Sequence, residues 1–100
     1  MKNLYSIREI QFNVFKWCEW AWSLQLILSN DIPIIVSLEI LGDEFSTLLM
    51  SRLMQGAGVV EAIEAIDHST PVELLQLIRE GESSGNLAES LRHFYETYKS

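Results

Sequence analysis

The sequence TPVELLQLIREGESSGNL, residues 70–87, contains the beginning and the end of one helix and the beginning of the next. Thr70 and Glu73 have the spacing of a capping box, in which two side chains satisfy free backbone N–H groups of the first helical turn. Pro71, between them, suits the first position of a helix because its fixed φ is already helical. Gly81 predicts the end of this helix, since glycine readily adopts the left-handed conformation that terminates helices.

Start and stop signals of the same kind precede this stretch. Ser6 and Glu9 have the capping-box spacing and predict the start of a first helix. Asp31 is the expected N-cap of a second helix, with Pro33 in its first turn and Gly42 as its terminator. Apolar residues at alternating spacings of three and four mark one face of the first helix: Ile7, Ile10, Val14, Trp17, Ala21, Leu24 and Leu28.

The middle of the chain predicts two further helices. Asp43 can cap a third helix that runs through about Gln55. Gly56-Ala57-Gly58 then interrupts the helical pattern, and a fourth helix is expected over residues 59–66.

Asn86 is expected to cap a last helix that runs to about Lys99. Nowhere does the sequence show the alternating pattern of a half-buried strand. The fold class predicted is therefore all-α, a compact antiparallel bundle of about six helices joined by short connections. We expect this bundle to form a single domain over residues 1–100.

Composition and charge exclude several functional classes. The chain has 100 residues, of which 48% are hydrophobic, and this apolar content indicates a globular domain rather than a disordered chain. Its formal net charge is −7. Proteins that follow the phosphate backbone of nucleic acid need clustered Lys and Arg, so we expect no nucleic-acid partner. The single cysteine, Cys18, cannot form an internal disulfide and is expected to be a small core residue in a reducing compartment. No secretion signal or apolar stretch of about 20 residues is visible.

Residue types used in catalysis occur, but not in catalytic arrangements. Asp67-His68-Ser69 contains the residues of a hydrolase triad, yet neighbours in sequence point apart, whereas a triad converges in space. Gly56-Ala57-Gly58 lacks the Gly-Lys-Ser/Thr ending of a phosphate-binding loop. His93, like His68, has no cysteine or histidine at metal-ligand spacing. We therefore predict no enzymatic activity, no catalytic residue, no cofactor and no metal site.

A second apolar stripe on the first helix has two interpretations. Phe12, Phe15, Trp22 and Leu26 lie on a face that the first stripe does not use, so the helix is apolar nearly all round. Such a helix is either central to the bundle or contacts a partner. If the second stripe stays exposed, it predicts a homodimer or another partner surface.

Three segments, in matching order, resemble one protein family. GESSGNL at residues 81–87 is similar to the G-E-x-S-G-N-L signature of the F-type inner-membrane platform proteins of type II secretion, also known as type IV pilus inner-membrane core proteins. NDIPIIVSLEIL at residues 30–41 resembles the family's A-G-V-P-L-L-x-A-L-E-x-L, and GAGVVEAI at residues 56–63 resembles its G-x-S-L-x-E-A-L. We call residues 81–87 the signature turn. It consists of Gly81, Glu82, Ser83, Ser84, Gly85, Asn86 and Leu87.

The chain departs from the family pattern at several places. Asn30-Asp31 stands where the family usually has Ala-Gly, and Gly58 where it usually has Ser. The piece between Leu41 and Gly56 is short, which predicts a trimmed third helix, and the tryptophan-rich first helix is atypical. These differences suggest a divergent branch such as the type IVb pili, which include the toxin-coregulated and bundle-forming kinds.

The resemblance implies a function without chemistry of its own. It implies a helical cytoplasmic domain at the bacterial inner membrane, preceding a transmembrane segment that should follow soon after Ser100. Such a domain is a scaffold for pilus assembly or type II secretion. Its partners are the cytoplasmic assembly ATPase, which it couples to extraction of pilin from the membrane, and other inner-membrane assembly components. The alternative is a generic soluble helical adaptor that mediates protein–protein contacts.

Two expectations concern the signature turn. Gly81 and Gly85 are expected to hold backbone conformations that a Cβ would disfavour, because two helices meet there in a tight polar turn. Glu80 and Glu82 are candidates for contact with a basic partner, whereas Glu89 is expected to cap the last helix. Reversing the charge of both candidates should then weaken partner binding and leave helix content intact.

Overall fold

The computed structural model describes the backbone of residues 4–99 and the side chains of residues 13–99. Over these residues the chain forms six helices and no strand, which confirms the predicted all-α bundle. The helices are α1 (Leu4–Leu28), α2 (Ile34–Leu41), α3 (Glu44–Met54), α4 (Val59–Ile66), α5 (Val72–Ser84) and α6 (Leu87–Tyr98).

The six helices form a closed ring around one core. Each helix packs against the next in the chain, and α6 packs extensively against α1. Every helix contributes at least one large side chain that is fully buried: Trp17, Leu24, Leu38, Leu49, Ile63, Leu74, Ile78, Leu91 and Phe94. Because α1 contacts both α2 and α6, the connection that follows α1 lies near the one that precedes α6.

Helix α1 buries the predicted stripe where its side chains are described. Cys18 is also buried there, as predicted for a small core residue, and this burial raises the pKa of its thiol. The helix already begins at Leu4, so the predicted start at Ser6 and Glu9 is wrong, because the backbone is helical before Ser6. The described stripe residues are buried or partly buried against the core: Val14, Trp17, Ala21, Leu24 and Leu28.

The connection between α1 and α2 differs from the prediction. The N–H of Asp31 donates to the Leu28 carbonyl at 3.1 Å, so this residue continues the last turn of α1. Its φ of 62° is left-handed, a conformation that Asp tolerates better than most residues. Asp31 is therefore part of the end of α1, and the N-cap of α2 is Pro33. At the other end of α2, Gly42 is the left-handed terminator that was predicted, with a φ of 70°.

Two predicted side-chain caps are confirmed. Asp43 caps α3 by accepting hydrogen bonds from the backbone N–H of Ser46 at 3.0 Å and from the Ser46 hydroxyl at 2.6 Å. Asn86 caps α6, where its Oδ1 accepts from the backbone N–H of Glu89 at 3.2 Å. Each cap satisfies a first-turn N–H that has no partner within its own helix.

Helix α5 begins one residue later than a Thr70 cap would place it. The Thr70 hydroxyl donates to the Asp67 carbonyl at 2.7 Å and so closes the turn that follows α4. The N-cap is Pro71, whose carbonyl accepts from the N–H groups of Leu74 and Leu75 at 3.1 and 3.2 Å. The predicted capping box of Thr70 and Glu73 is therefore wrong: the N-cap is Pro71, and the Thr70 hydroxyl bonds within the turn that follows α4.

The end of α5 also differs from the prediction. The helix continues through Gly81 and ends at Ser84, and Gly85 is the left-handed C-cap with a φ of 79°. The carbonyl of Gly81 accepts from the N–H groups of Gly85 and of Asn86, the latter at 3.0 Å. The predicted stop at Gly81 is wrong because the left-handed residue is Gly85.

Candidate functional site

The two glycines of the signature turn are needed for different reasons. Gly85 has a left-handed φ and no atom within 4 Å of where a Cβ would stand, so its requirement is conformational, as predicted. Gly81 is helical and buried, and a Cβ there would stand 2.9 Å from the Cα of Leu87 and 2.7 Å from the hydroxyl of Ser90. The predicted strained backbone at Gly81 is therefore wrong: this glycine provides the space in which α6 approaches α5.

Hydrogen bonds within the signature turn fix the start of α6. The side-chain amide of Asn86 donates to Glu89 Oε2 at 2.8 Å, in addition to the cap bond described above. Glu89 therefore holds the side chain that caps α6, but the predicted capping role is wrong, because the backbone N–H of Asn86 bonds to the Gly81 carbonyl instead. The hydroxyl of Ser84 accepts from the N–H of Asn86 at 3.3 Å. Of the remaining residues of the signature turn, Ser83 is exposed and Leu87 packs against the core.

A cleft of about 570 Å³ lies between the signature turn and the connection from α1 to α2. Residues 81, 82 and 85–89 line one wall and residues 28, 29 and 31–34 the other. Two of the three segments that carry the resemblance therefore meet across this cleft, although they are far apart in sequence. The third segment, residues 56–63, does not line it, since the apolar residues at the start of α4 face the core. We call this site the signature cleft.

The signature cleft carries a negative rim. The exposed side chains of Asp31 and Glu82 line it together with Glu89, which is tied to Asn86. Arg92 is the cation among its lining residues, so carboxylates outnumber guanidinium groups. Such a rim attracts a basic group of a partner, and salt screens the attraction.

The structure does not bring Glu80 and Glu82 to one surface. Residues two apart on a helix point in widely different directions. Glu82 lines the signature cleft, whereas Glu80 lines two shallow clefts elsewhere on α5, one beside Arg79 and one beside His93. Both glutamates are exposed, so each remains free to meet a partner, but on different sides of the helix.

The second apolar stripe of α1 is partly covered. Phe15 and Leu26 have 57% and 47% of their surface exposed. The ring of Trp22 is half-buried and lies 4.5 Å from the ring of Tyr95 on α6, at an interplanar angle of 33°. The side chain of Phe12 lies outside the described residues. A homodimer or partner contact thus stays a prediction, and among described residues it depends on Phe15 and Leu26.

Asp67-His68-Ser69 forms a turn that ties α1 to the connection between α4 and α5. The N–H and the hydroxyl of Ser69 both donate to Asp67 Oδ1, at 2.9 and 2.5 Å, and His68 is exposed. Lys16 Nζ lies 3.3 Å from Asp67 Oδ2, and the side-chain amide of Asn13 donates to the Ser69 carbonyl at 2.8 Å. The serine bonds directly to the aspartate instead of to an intervening histidine, so the geometry is that of a turn and not of a triad.

This turn makes stability depend on pH. The hydrogen bond from the Ser69 hydroxyl, followed by the backbone bond and Lys16, holds the pKa of Asp67 below its ordinary value of 3.8. Because the folded state favours the ionised carboxylate, Asp67 adds its full contribution to the free energy of unfolding above about pH 3.8, its ordinary pKa. This contribution is lost as the pH falls through the lower pKa of the folded state. We expect Asp67→Asn to lower the urea midpoint at pH 6, with a difference from wild type that shrinks toward pH 3. Glu64→Gln, on the exposed face of α4, is the control; an equal loss in both variants would contradict the assignment.

A second cleft, of about 380 Å³, lies between α1 and the start of α3, and we call it the aromatic cleft. The sequence did not predict this cleft, because only the tertiary structure brings Phe45 of α3 into contact with the tryptophans of α1. The centroids of the Trp17, Trp20 and Phe45 rings are 4.9–5.5 Å apart in edge-to-face geometry. The lining residues are Lys16, Trp17, Glu19, Trp20, Ser23, Leu41, Asp43, Phe45 and Asp67.

Over the described residues, no three His, Cys, Asp or Glu side chains are placed to hold a metal ion. In that same part of the chain, no helix combines the length and the apolar character that crossing a membrane requires. Comparisons with protein-family models, curated proteins and solved structures find no match to this chain.

Proposed function

We propose that this chain is the cytoplasmic domain of an inner-membrane platform protein that scaffolds type IV pilus assembly or type II secretion. In this role it couples the cytoplasmic assembly ATPase to extraction of pilin from the membrane. The observation that supports the proposal is the signature cleft. Residues 31–34 belong to one motif that resembles the family and residues 81, 82 and 85–87 to another, and the two groups line one surface site.

The construction of the signature cleft suits a docking surface. Its position is fixed by the close packing of α5 and α6 at Gly81 and by the cap between Asn86 and Glu89. Because the wall formed by the end of α5 and the start of α6 is held before a partner arrives, it loses little conformational entropy on binding. The acidic rim, with Asp31 and Glu82 exposed, favours a basic loop of the partner and makes its approach sensitive to salt.

The test is binding of this 100-residue chain to the assembly ATPase of the bacterium that encodes it. We expect saturable binding by isothermal titration calorimetry, which weakens as the salt concentration rises. Failure of the folded chain to bind the ATPase under low-salt conditions would contradict the proposed function. That outcome, together with binding of a different protein, would favour the generic helical adaptor.

Glu82 and Glu80 provide a matched pair of charge reversals. We expect Glu82→Arg to weaken ATPase binding about fivefold, because it reverses a charge on the rim of the signature cleft. Glu80→Arg makes the same change in net charge two positions away, outside this cleft, and should have a smaller effect. Helix content by circular dichroism should match wild type in both variants, since both side chains are exposed. Equal weakening by the two variants would show that overall charge, and not the signature cleft, governs binding.

A further inference from the structure

We propose that the aromatic cleft binds an arginine side chain presented by a protein partner. The guanidinium would lie against Trp20 and Phe45 and pair with Glu19. This site uses residues different from those of the signature cleft, so the proposal stands independently of the proposed function.

The aromatic wall of this cleft suits a planar cation. Trp17 is buried, whereas Trp20 and Phe45 are half-buried and line the opening. The Trp20 and Phe45 centroids are 5.3 Å apart with an interplanar angle of 82°, so the two rings form a corner and not a stack. A guanidinium can lie against the face of one such ring while its apolar stem contacts the other.

The corner is held in place before any ligand binds. The indole N–H of Trp20 donates to the hydroxyl of Ser46 at 3.0 Å, and this hydroxyl in turn donates to Asp43 Oδ1 at 2.6 Å. Ser46 is fully buried, and Asp43 also caps α3. The hydrogen bonds that begin α3 therefore also fix the orientation of the Trp20 ring. A fixed ring reduces the entropy lost on binding.

The charge of the cleft favours a cation from outside. Glu19, Asp43 and Asp67 line it together with the single ammonium of Lys16. Lys16 Nζ lies 3.3 Å from Asp67 and 5.2 Å from the centroid of the Trp17 ring. The chain thus already places one cation between a carboxylate and an aromatic ring at one end of the cleft. Glu19 also lines the cleft, is exposed, and makes no ion pair with any described side chain.

Arginine fits this environment better than lysine. A guanidinium is planar, more weakly hydrated than an ammonium, and able to contact an aromatic face while it donates to a carboxylate. Trp20 and Phe45 offer the aromatic surface, and Glu19 and Asp43 offer the acceptors. Because the whole chain carries a net charge of −7, a basic segment is also attracted to it at long range.

The test uses a single capped arginine, N-acetyl-arginine N-methylamide, titrated into the isotopically labelled chain at low salt. The probe is followed by the NMR signals of the three tryptophan indole N–H groups. We expect a saturable shift of the Trp20 signal and no comparable shift for Trp22, which lies against α6. The control probe is the citrulline analogue, which has nearly the same shape as arginine but no charge, and it should leave Trp20 unmoved.

Three variants separate the cleft from general electrostatics. Glu19→Gln should weaken arginine binding about threefold, whereas Glu64→Gln removes the same charge from α4 and should leave it unchanged. Lys16→Gln removes the competing internal cation and should tighten binding about threefold. Tighter binding on loss of a side chain is not expected from damage to the fold.

Several results would overturn the proposal. One is a shift of the Trp20 signal that is equal for the arginine and citrulline probes. Another is that Glu19→Gln and Glu64→Gln weaken arginine binding equally. A third is that Lys16→Gln leaves the affinity for the arginine probe unchanged. The absence of a saturable Trp20 shift in the folded wild-type chain would overturn it as well.

Discussion

The Gly81→Val variant should lose about 3 kcal/mol of unfolding free energy, because its side chain would occupy the space in which α6 approaches α5. The first added carbon alone would stand 2.9 Å from the backbone of Leu87, so the two helices must move apart. Valine is a slightly better helix former than glycine, but this gain of a few tenths of a kcal/mol does not offset the clash. Thermal unfolding by circular dichroism should show a Tm lower by roughly 12–24 °C.

Ser90 provides the control for this interpretation. Ser90→Gly removes two of the three closest contacts that a Cβ at Gly81 would meet. Gly81→Ala combined with Ser90→Gly should therefore lose less stability than the sum of the single variants, with a coupling of about 1 kcal/mol. A Cβ at position 85 would meet no such neighbour. Gly85→Ala should therefore lower the free energy of unfolding by about 1 kcal/mol, because of its left-handed φ alone, and show no coupling to Ser90. Strict additivity of Gly81→Ala and Ser90→Gly would contradict the close-approach argument.

Phe94→Ala should cost about 3–5 kcal/mol of unfolding free energy, because it removes a large ring from the core and leaves a cavity. Only 1% of the surface of Phe94 is exposed, and its helix, α6, packs against both α1 and α5. A loss of this size is a large part of the stability of an ordinary domain. Urea unfolding should show a much lower midpoint with an unchanged slope.

The same substitution at Phe15 is the matched control. With 57% of its surface exposed, Phe15→Ala should change stability by about 0.5 kcal/mol or less at low micromolar concentration. If Phe15 lies in a homodimer contact, the cost of Phe15→Ala should grow as the protein concentration rises, because dimer formation stabilises only the folded state. Equal losses at Phe15 and Phe94 at low concentration would contradict the description of the core.

Local signals predicted most of the helices. Asp43, Asn86 and Gly42 act within one turn of their own helix, so their roles depend little on the rest of the chain. Two of the errors lie where local interactions compete. The Thr70 hydroxyl bonds backward to Asp67 instead of capping α5, and Asp31 closes the turn after α1 instead of capping α2.

The sites were less accessible to sequence reasoning. The signature turn was visible as a motif, but its meeting with residues 30–34 depends on how α6 packs against α1. The aromatic cleft depends on the contact between Trp20 and Ser46, which lie on different helices. The requirement for Gly81 could not be read from its neighbours in sequence either, since the obstructing atoms belong to α6. Contacts between distant segments have no signature in local spacing.

The closed ring of helices has a consequence for how the chain folds during synthesis. The extensive contact between α6 and α1 closes the ring, and it joins the last helix in the sequence to the first. Forming a contact between segments so distant along the chain carries a larger loop-closure entropy than pairing neighbouring helices, and contacts of this kind slow folding. On the ribosome, α1 emerges first and α6 last, so the apolar face of α1 that α6 covers stays uncovered until almost all of the domain has been translated. The face of α1 that α6 covers, which includes Trp22, therefore stays open to aggregation until α6 has emerged.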